Sequence, residues 1–203
     1  ETNDDVGDRN NDALRIDGKE VRVRVICEGG NLGITQLGRI EYELHGGKIN
    51  TDFIDNSAGV DCSDHEVNIK ILLNQAVATA GLTENQRNTL LARMTDEVAD
   101  LVLQNNYHQN QAISLAASLS PSRINLYMRY LDAQVQAGRI NRDIEYLPSN
   151  KTLFERKSAG LGFTRPEISV LFAYSKIILE DKIRNSDLPE DPYLSQYVKN
   201  AFP

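Results

Sequence analysis

Apolar and polar positions alternate along Glu20-Val21-Arg22-Val23-Arg24-Val25-Ile26-Cys27 and then run together. That is the pattern of a strand entering a sheet interior. The segment stops at a tight glycine-rich turn, Glu28-Gly29-Gly30-Asn31. From Thr35 the period lengthens. Leu37, Ile40, Glu41 and Leu44 stand at helical spacing, and Gly46-Gly47 supplies a stop. Thr51-Asp52-Phe53-Ile54-Asp55 reads as a second strand, closed by the small-residue turn Asn56-Ser57-Ala58-Gly59. Strand, helix and strand together predict one parallel crossover unit.

The rest of the chain reads as helix. Ser63-Asp64-His65-Glu66 has the form of a capping box with Ser63 as N-cap, followed by Val67, Ile71, Leu72 and Ala76 until Gly81. Thr83-Glu84-Asn85-Gln86 is a second box. Behind it Leu90, Leu91, Met94, Val98, Leu101 and Val102 form an amphipathic stripe that predicts core packing. A helix over about 110–119 is expected to end before Pro121, and another to run to Ala137 and stop at Gly138. Thr164-Arg165-Pro166-Glu167 opens a helix through Leu171, Tyr174, Ile178 and Leu179, and a last short one covers about 191–201. The expected fold class is therefore α/β, a small parallel sheet followed by a mostly α-helical region. The shift in composition after Gly81 sets the expected boundary, 1–81 and 82–203.

Composition narrows the class. With 40% hydrophobic and 25% charged residues, wholesale disorder, collagen-like sequence and a disulfide-stapled miniprotein are excluded. A chain of this length buries roughly 70% of its extended surface, so it needs no disulfide or metal to hold a core. The apolar runs are only a few residues long, as in Val170-Leu171-Phe172-Ala173, too short to span a bilayer. Lys and Arg number 22 against 29 Asp and Glu, a net charge of −7. Without a basic cluster, that balance argues against nucleic acid and against a membrane-surface helix. Cys27 and Cys62 sit in apolar-flanked segments without metal-ligand spacing and read as reduced, buried, cytosolic thiols. The chain starts at Glu1-Thr2-Asn3 without a signal peptide or a Met, so a piece of something longer is expected.

The chemistry concentrates at the two turns. In open α/β sheets, ligands bind beyond the carboxyl ends of the strands, where glycines let backbone approach closely and helix N-termini offer N–H groups to anions. Asn31 and Asn56 each carry a matched donor and acceptor, which a nicotinamide carboxamide or a ribose needs; Asn also simply tolerates turn geometry. Ser63 is an N-cap and equally a carboxylate anchor backed by the helix dipole. Glu28 orients a ribose or caps a turn. Asp61, Asp64 and Glu66 read as first-turn acids rather than a metal site, and His45, His65 and His108 as surface or partly buried rings. No Gly-x-Ser-x-Gly elbow, Walker loop, His-Glu-x-x-His or full Gly-x-Gly-x-x-Gly occurs.

The run Cys27-Glu28-Gly29-Gly30-Asn31-Leu32-Gly33-Ile34-Thr35-Gln36-Leu37-Gly38-Arg39-Ile40-Glu41-Tyr42 resembles the large bacterial NAD-specific glutamate dehydrogenases. So does the run from Asn50-Thr51-Asp52-Phe53-Ile54-Asp55-Asn56-Ser57-Ala58-Gly59-Val60-Asp61-Cys62-Ser63 to Lys70, and the likeness continues through Leu147-Pro148-Ser149 and Thr164-Arg165-Pro166-Glu167. The smaller glutamate dehydrogenases show a related pattern, Glu-Gly-Ala-Asn and later Asn-Ala-Gly-Gly-Val. By that match Asn31 resembles their first asparagine, Asn56 the one that faces the nicotinamide, and Ser63 the serine that holds the side-chain carboxylate of glutamate. Ser57 and Ala58 depart from the pattern. The resemblance implies a partial Rossmann-like parallel sheet, with 1–81 as the C-terminal portion of an NAD-binding domain. It implies NAD as cofactor, L-glutamate and 2-oxoglutarate as substrates, and oxidative deamination with hydride passing to NAD. Glu28, Gly29, Gly30, Asn31 and Asn56 would bind cofactor and Ser63 substrate. No residue here matches the family's catalytic lysine and aspartate or its phosphate turn, which belong upstream, and Lys48 and Lys70 read as solvated. The segment is thus expected to be cytoplasmic, inactive alone, and partnered by the remainder of its parent subunit in a homo-oligomer. The competing reading makes residues 83–203 a helical interaction or regulatory module for subunit assembly. Exposed sheet edges in the excised piece would favour a dimer or strand exchange.

Overall fold

The computed structural model describes residues 3–30 and 33–203. In chain order the helices are α1 (Asn3–Val6), α2 (Gln36–Leu44), α3 (Asp52–Asp55), α4 (Ser57–Thr79), α5 (Glu84–Arg93), α6 (Thr95–Gln136), α7 (Asn150–Ser158), α8 (Arg165–Arg184) and α9 (Ser195–Asn200), with 3-10 turns at Arg9–Leu14, Gly18–Glu20 and Leu188–Glu190.

The described residues hold no strand, so the fold is all-α and the expected Rossmann-like parallel sheet is absent. The first expected strand survives only as one parallel bridge between Val25 and Lys48. Ile26 N–H donates to Lys48 O at 2.9 Å and Lys48 N–H to Arg24 O at 3.0 Å. Parallel pairing is weak unless further strands and covering helices bury it. Here Val25 stays 66% exposed, so the Val/Arg alternation never meets a sheet interior. The second expected strand is the single turn α3, with Ile54 buried and Phe53 exposed. The edges on which strand exchange would depend go with the sheet.

Local signals fare better. Thr35 caps α2, its hydroxyl accepting Gly38 N–H at 3.1 Å. Thr83 and Gln86 form the reciprocal box that starts α5. Gly81 and Gly138 stop their helices at φ +74° and +68°, where any other residue is strained. Ser63, by contrast, is no N-cap. Helix α4 begins at Ser57, Asn56 holds the N-cap position, and the Ser63 hydroxyl donates back to Gly59 O at 3.2 Å. Pro121 does not end its helix either. Helix α6 passes through it, and the break comes two residues later, where Arg123 (φ −113°, ψ 18°) leaves helical geometry and two helical stretches join across a kink.

The apolar stripes were legible in period more than in face. On α2, Leu37 and Leu44 are exposed while Arg39, Ile40 and Tyr42 are buried. On α4, Val67, Ile71 and Leu72 are exposed and His65, Ile69 and Leu73 are inside. Along α5 and α6, Val102 is buried and Leu90, Leu91, Met94, Val98 and Leu101 are partly covered. Helix α4 carries apolar residues on more than one side, so spacing alone does not pick the packed face. Cys27 and Cys62 form no disulfide, and both are exposed rather than buried.

The chain divides into two compact units. The first joins Glu1–Asp52 with Ala117–Val170. Its core contains Ile40, Tyr42, Ile49, Ile124, Leu131, Leu153, Phe163 and Ile168. Ser120 Oγ accepts the buried Phe163 N–H at 2.7 Å, and Gly162 lies so close that an added Cβ would meet Pro121 N at 2.7 Å. The second joins Phe53–Ala116 with Leu171–Pro203 around a smaller core of Ile54, Ile69, Leu73, Val102, Ile113 and Leu171. No described helix is long and apolar enough to cross a membrane.

One titrating group in the first unit affects stability. Burial pushes the Glu43 carboxyl up to about 7, against a smaller downward pull from Arg165, whose backbone N–H donates to it at 2.7 Å. The folded state therefore holds a proton that the unfolded chain releases near 4.5. Stability is greatest below that value and falls as pH rises through about 7. Glu43→Gln keeps an acceptor for Arg165 without the charge. Urea unfolding over a pH series should show a flatter decline between about 4.5 and 7 in the variant. Equal slopes in both proteins would refute the assignment.

Candidate functional site

The glycine turn lies in the first unit. Helix α2 turns Arg39 inward, where its Nη2 meets Glu28 Oε2 at 2.6 Å and its Nη1 approaches Asp52 Oδ1 at 3.6 Å. The other Glu28 oxygen accepts the Gly33 N–H. Glu28 and Gly33 are thereby tied to each other and, through Glu28, to Arg39. An added Cβ at Gly33 would press on Glu28 Oε1 at 2.9 Å, whereas one at Gly29 or Gly30 would meet nothing. The exposed backbone at Gly29-Gly30 faces open space, as close approach by another molecule requires. Asn31 lies outside the described residues.

In the second unit a hollow of about 580 Å³ opens at the start of α4. Asn56, Ser57 and Phe53 line it from the chain around the helix start, Gln109 from α6, and Phe172 and Lys176 from α8. Asn56 makes no capping bond to its own helix. Ser57 joins the elements. Its hydroxyl sits 2.9 Å from Ile54 O and 2.5 Å from Asn106 Oδ1, and it accepts from Gln109 Nε2 at 3.0 Å. Gln109 Oε1 in turn accepts from Lys176 Nζ at 2.7 Å, and that ammonium lies 5.0 Å from the Phe172 ring centre. Partial burial holds the Lys176 pKa below its usual value. Asp61 also lines the hollow and takes a bond from Asn105 Nδ2 at 3.0 Å. The result is a polar chain already satisfied internally, with aromatic walls, that fixes the turn carrying Asn56.

Ser63 is exposed on α4 and is not part of the lining. His65 is structural. Its Nδ1 lies 2.8 Å from Asp61 O, its Nε2 2.9 Å from Ala201 O, and its ring packs on Phe202. His108 reaches the hollow. Lys48 is exposed, and Lys70 pairs with Glu66. Among the described residues no group of three acidic, His or Cys side chains could hold a metal ion.

Sequence reasoning missed Arg39, Ser57, Asn106, Gln109 and Lys176. A signal existed for three of them. Ser57 is where the chain departs from the shorter enzymes' pattern, and Asn106 and Gln109 stand one helical turn apart in an amide-rich run.

Residues 1–116 match the family described as bacterial NAD-glutamate dehydrogenase, catalytic domain. The chain belongs to that family. Residues 160–203 also match the glutamate dehydrogenase C-terminal family. Three curated relatives of the bacterial NAD-glutamate dehydrogenase family align over the whole chain, each named NAD-specific glutamate dehydrogenase. They come from Pseudomonas aeruginosa (56% identical), Halomonas elongata (53%) and Mycobacterium tuberculosis (44%). The chain spans only 12%, 13% and 12% of their lengths.

Proposed function

We propose that this chain works as part of a large NAD-specific glutamate dehydrogenase, which converts L-glutamate, NAD and water to 2-oxoglutarate, ammonia and NADH. The observation that carries the reading is the family match over residues 1–116, which contains both turns. NAD, when bound, takes the hydride from the substrate's α-carbon. This chain's contribution is positioning. Open backbone at Gly29 and Gly30 lets the cofactor come close, Asn31 and Asn56 offer amides to its nicotinamide side, and Glu28 shapes the turn. Ser63 offers its hydroxyl to the side-chain carboxylate of glutamate. None of these side chains is assigned proton transfer.

The exposed apolar residues Ile71, Leu72 and Leu103 support docking against the remainder of a parent subunit, and a cytoplasmic homo-oligomer completes the proposal. The test is NADH formation. Purified intact enzyme should form it only when glutamate and NAD are both present, and residues 1–203 alone should form none. Turnover by the segment alone, or glutamate-independent turnover by the enzyme, would sink the reading.

A further inference from the structure

Arg39 is almost fully buried, with 5% of its side chain exposed, and it lies between two carboxylates that are themselves largely covered. Removing a guanidinium from water is costly, and its neighbours offset that cost only where geometry is good. The geometry here is specific but incomplete, since Arg39 Nε is buried without a hydrogen-bond partner. An apolar side chain on this face of α2 would avoid that loss. What it could not do is hold Glu28. With one oxygen on Arg39 and the other on the Gly33 N–H, the Glu28 carboxylate is committed to the loop. It ties Glu28 to Gly33, while Gly29 and Gly30 face open space.

We propose that Arg39 is a positioning residue for dinucleotide binding: acting through Glu28 and steadied by Asp52, it sets the shape in which Gly29-Gly30 backbone is presented to the cofactor. Arg39 touches neither cofactor nor substrate. The inference rests on the function proposed above, and it adds a residue and a route.

The test is steady-state kinetics on the intact enzyme with Arg39→Gln, Arg39→Lys and Asp52→Asn. Losing a charge-assisted anchor should raise the KM for NAD about tenfold or more in Arg39→Gln. The KM for glutamate should stay within about twofold. Lysine keeps the charge without the fork, so Arg39→Lys should recover part of the loss. Asp52→Asn should give a smaller rise, again for NAD alone, and it keeps the test open if Arg39→Gln does not fold. A merely structural arginine would lower thermal stability or yield and leave both KM values unmoved. That outcome in Arg39→Lys and Asp52→Asn overturns the inference. If the unsubstituted enzyme forms no NADH from glutamate, the function reading itself has failed, and the two failures are distinguishable.

Discussion

Glu167→Ala should destabilise the fold by about 3–5 kcal/mol, the usual cost of leaving a buried charge without its partner. Arg156 Nη1 and Nη2 donate to the two Glu167 oxygens at 2.7 and 3.0 Å, a fork-to-fork pair. Only 1% of the Glu167 side chain and 10% of that of Arg156 is exposed, so water cannot replace either partner. Glu167 also accepts Thr164 N–H at 2.7 Å, satisfying a donor at the start of α8. Alanine leaves the guanidinium charge with only a long bond from Nη1 to Gly162 O at 3.4 Å, and it orphans that amide. At roughly 2–4 °C per kcal/mol for a chain of this size, the melting midpoint should fall by about 6–20 °C. Glu167→Gln keeps the volume and an acceptor, so it should lose less than alanine while still leaving Arg156 uncompensated. Paired thermal and urea unfolding measures both variants. A loss under about 1 kcal/mol in Glu167→Ala would show that Arg156 finds another partner or reaches water.

That pair separates what a local sequence pattern carries from what it does not. The motif Thr164-Arg165-Pro166-Glu167 announced a helix start, because capping is written within four residues. Its decisive partner, Arg156, lies eleven positions away across a loop, and no local pattern names it. The same division runs through the chain. Thr83, Gly81 and Gly138 act on their own neighbours and were legible. Glu20 to Cys27 has the pattern of a strand because alternation is local, yet a strand exists only if other strands pair with it, and among the described residues only Lys48 does. Ser63 looked like a cap because its box is well formed. The true start of α4 is set by Ser57, whose partners Asn106 and Gln109 are 49 and 52 positions away. At the candidate site, Asn56 was legible by likeness to a family pattern. Arg39 was not, since a charged residue beside Ile40 reads as solvated until its two carboxylates are seen.

The second large effect concerns substrate. Ser63 is exposed, and its hydroxyl makes only a long back-bond to Gly59 O at 3.2 Å. That bond is easily given up, since the Gly59 carbonyl is a neutral acceptor and a carboxylate is a stronger one. Ser63→Ala removes the donor while leaving a good helix former on a solvated helix position, so stability should hardly change. A hydrogen bond to a charged group is worth about 1.5–3 kcal/mol, or roughly 10–100-fold in kcat/KM. Asn56→Ala should act on the other side, raising the KM for NAD with a lesser effect on glutamate.

The most direct test is therefore the kinetic split of Ser63→Ala in the intact enzyme, with glutamate and NAD varied separately. The expected result is a fall of about 10–100-fold in kcat/KM for glutamate, with the KM for NAD within about twofold of the unsubstituted enzyme. An unchanged kcat/KM for glutamate would contradict the placement of this chain at the substrate pocket.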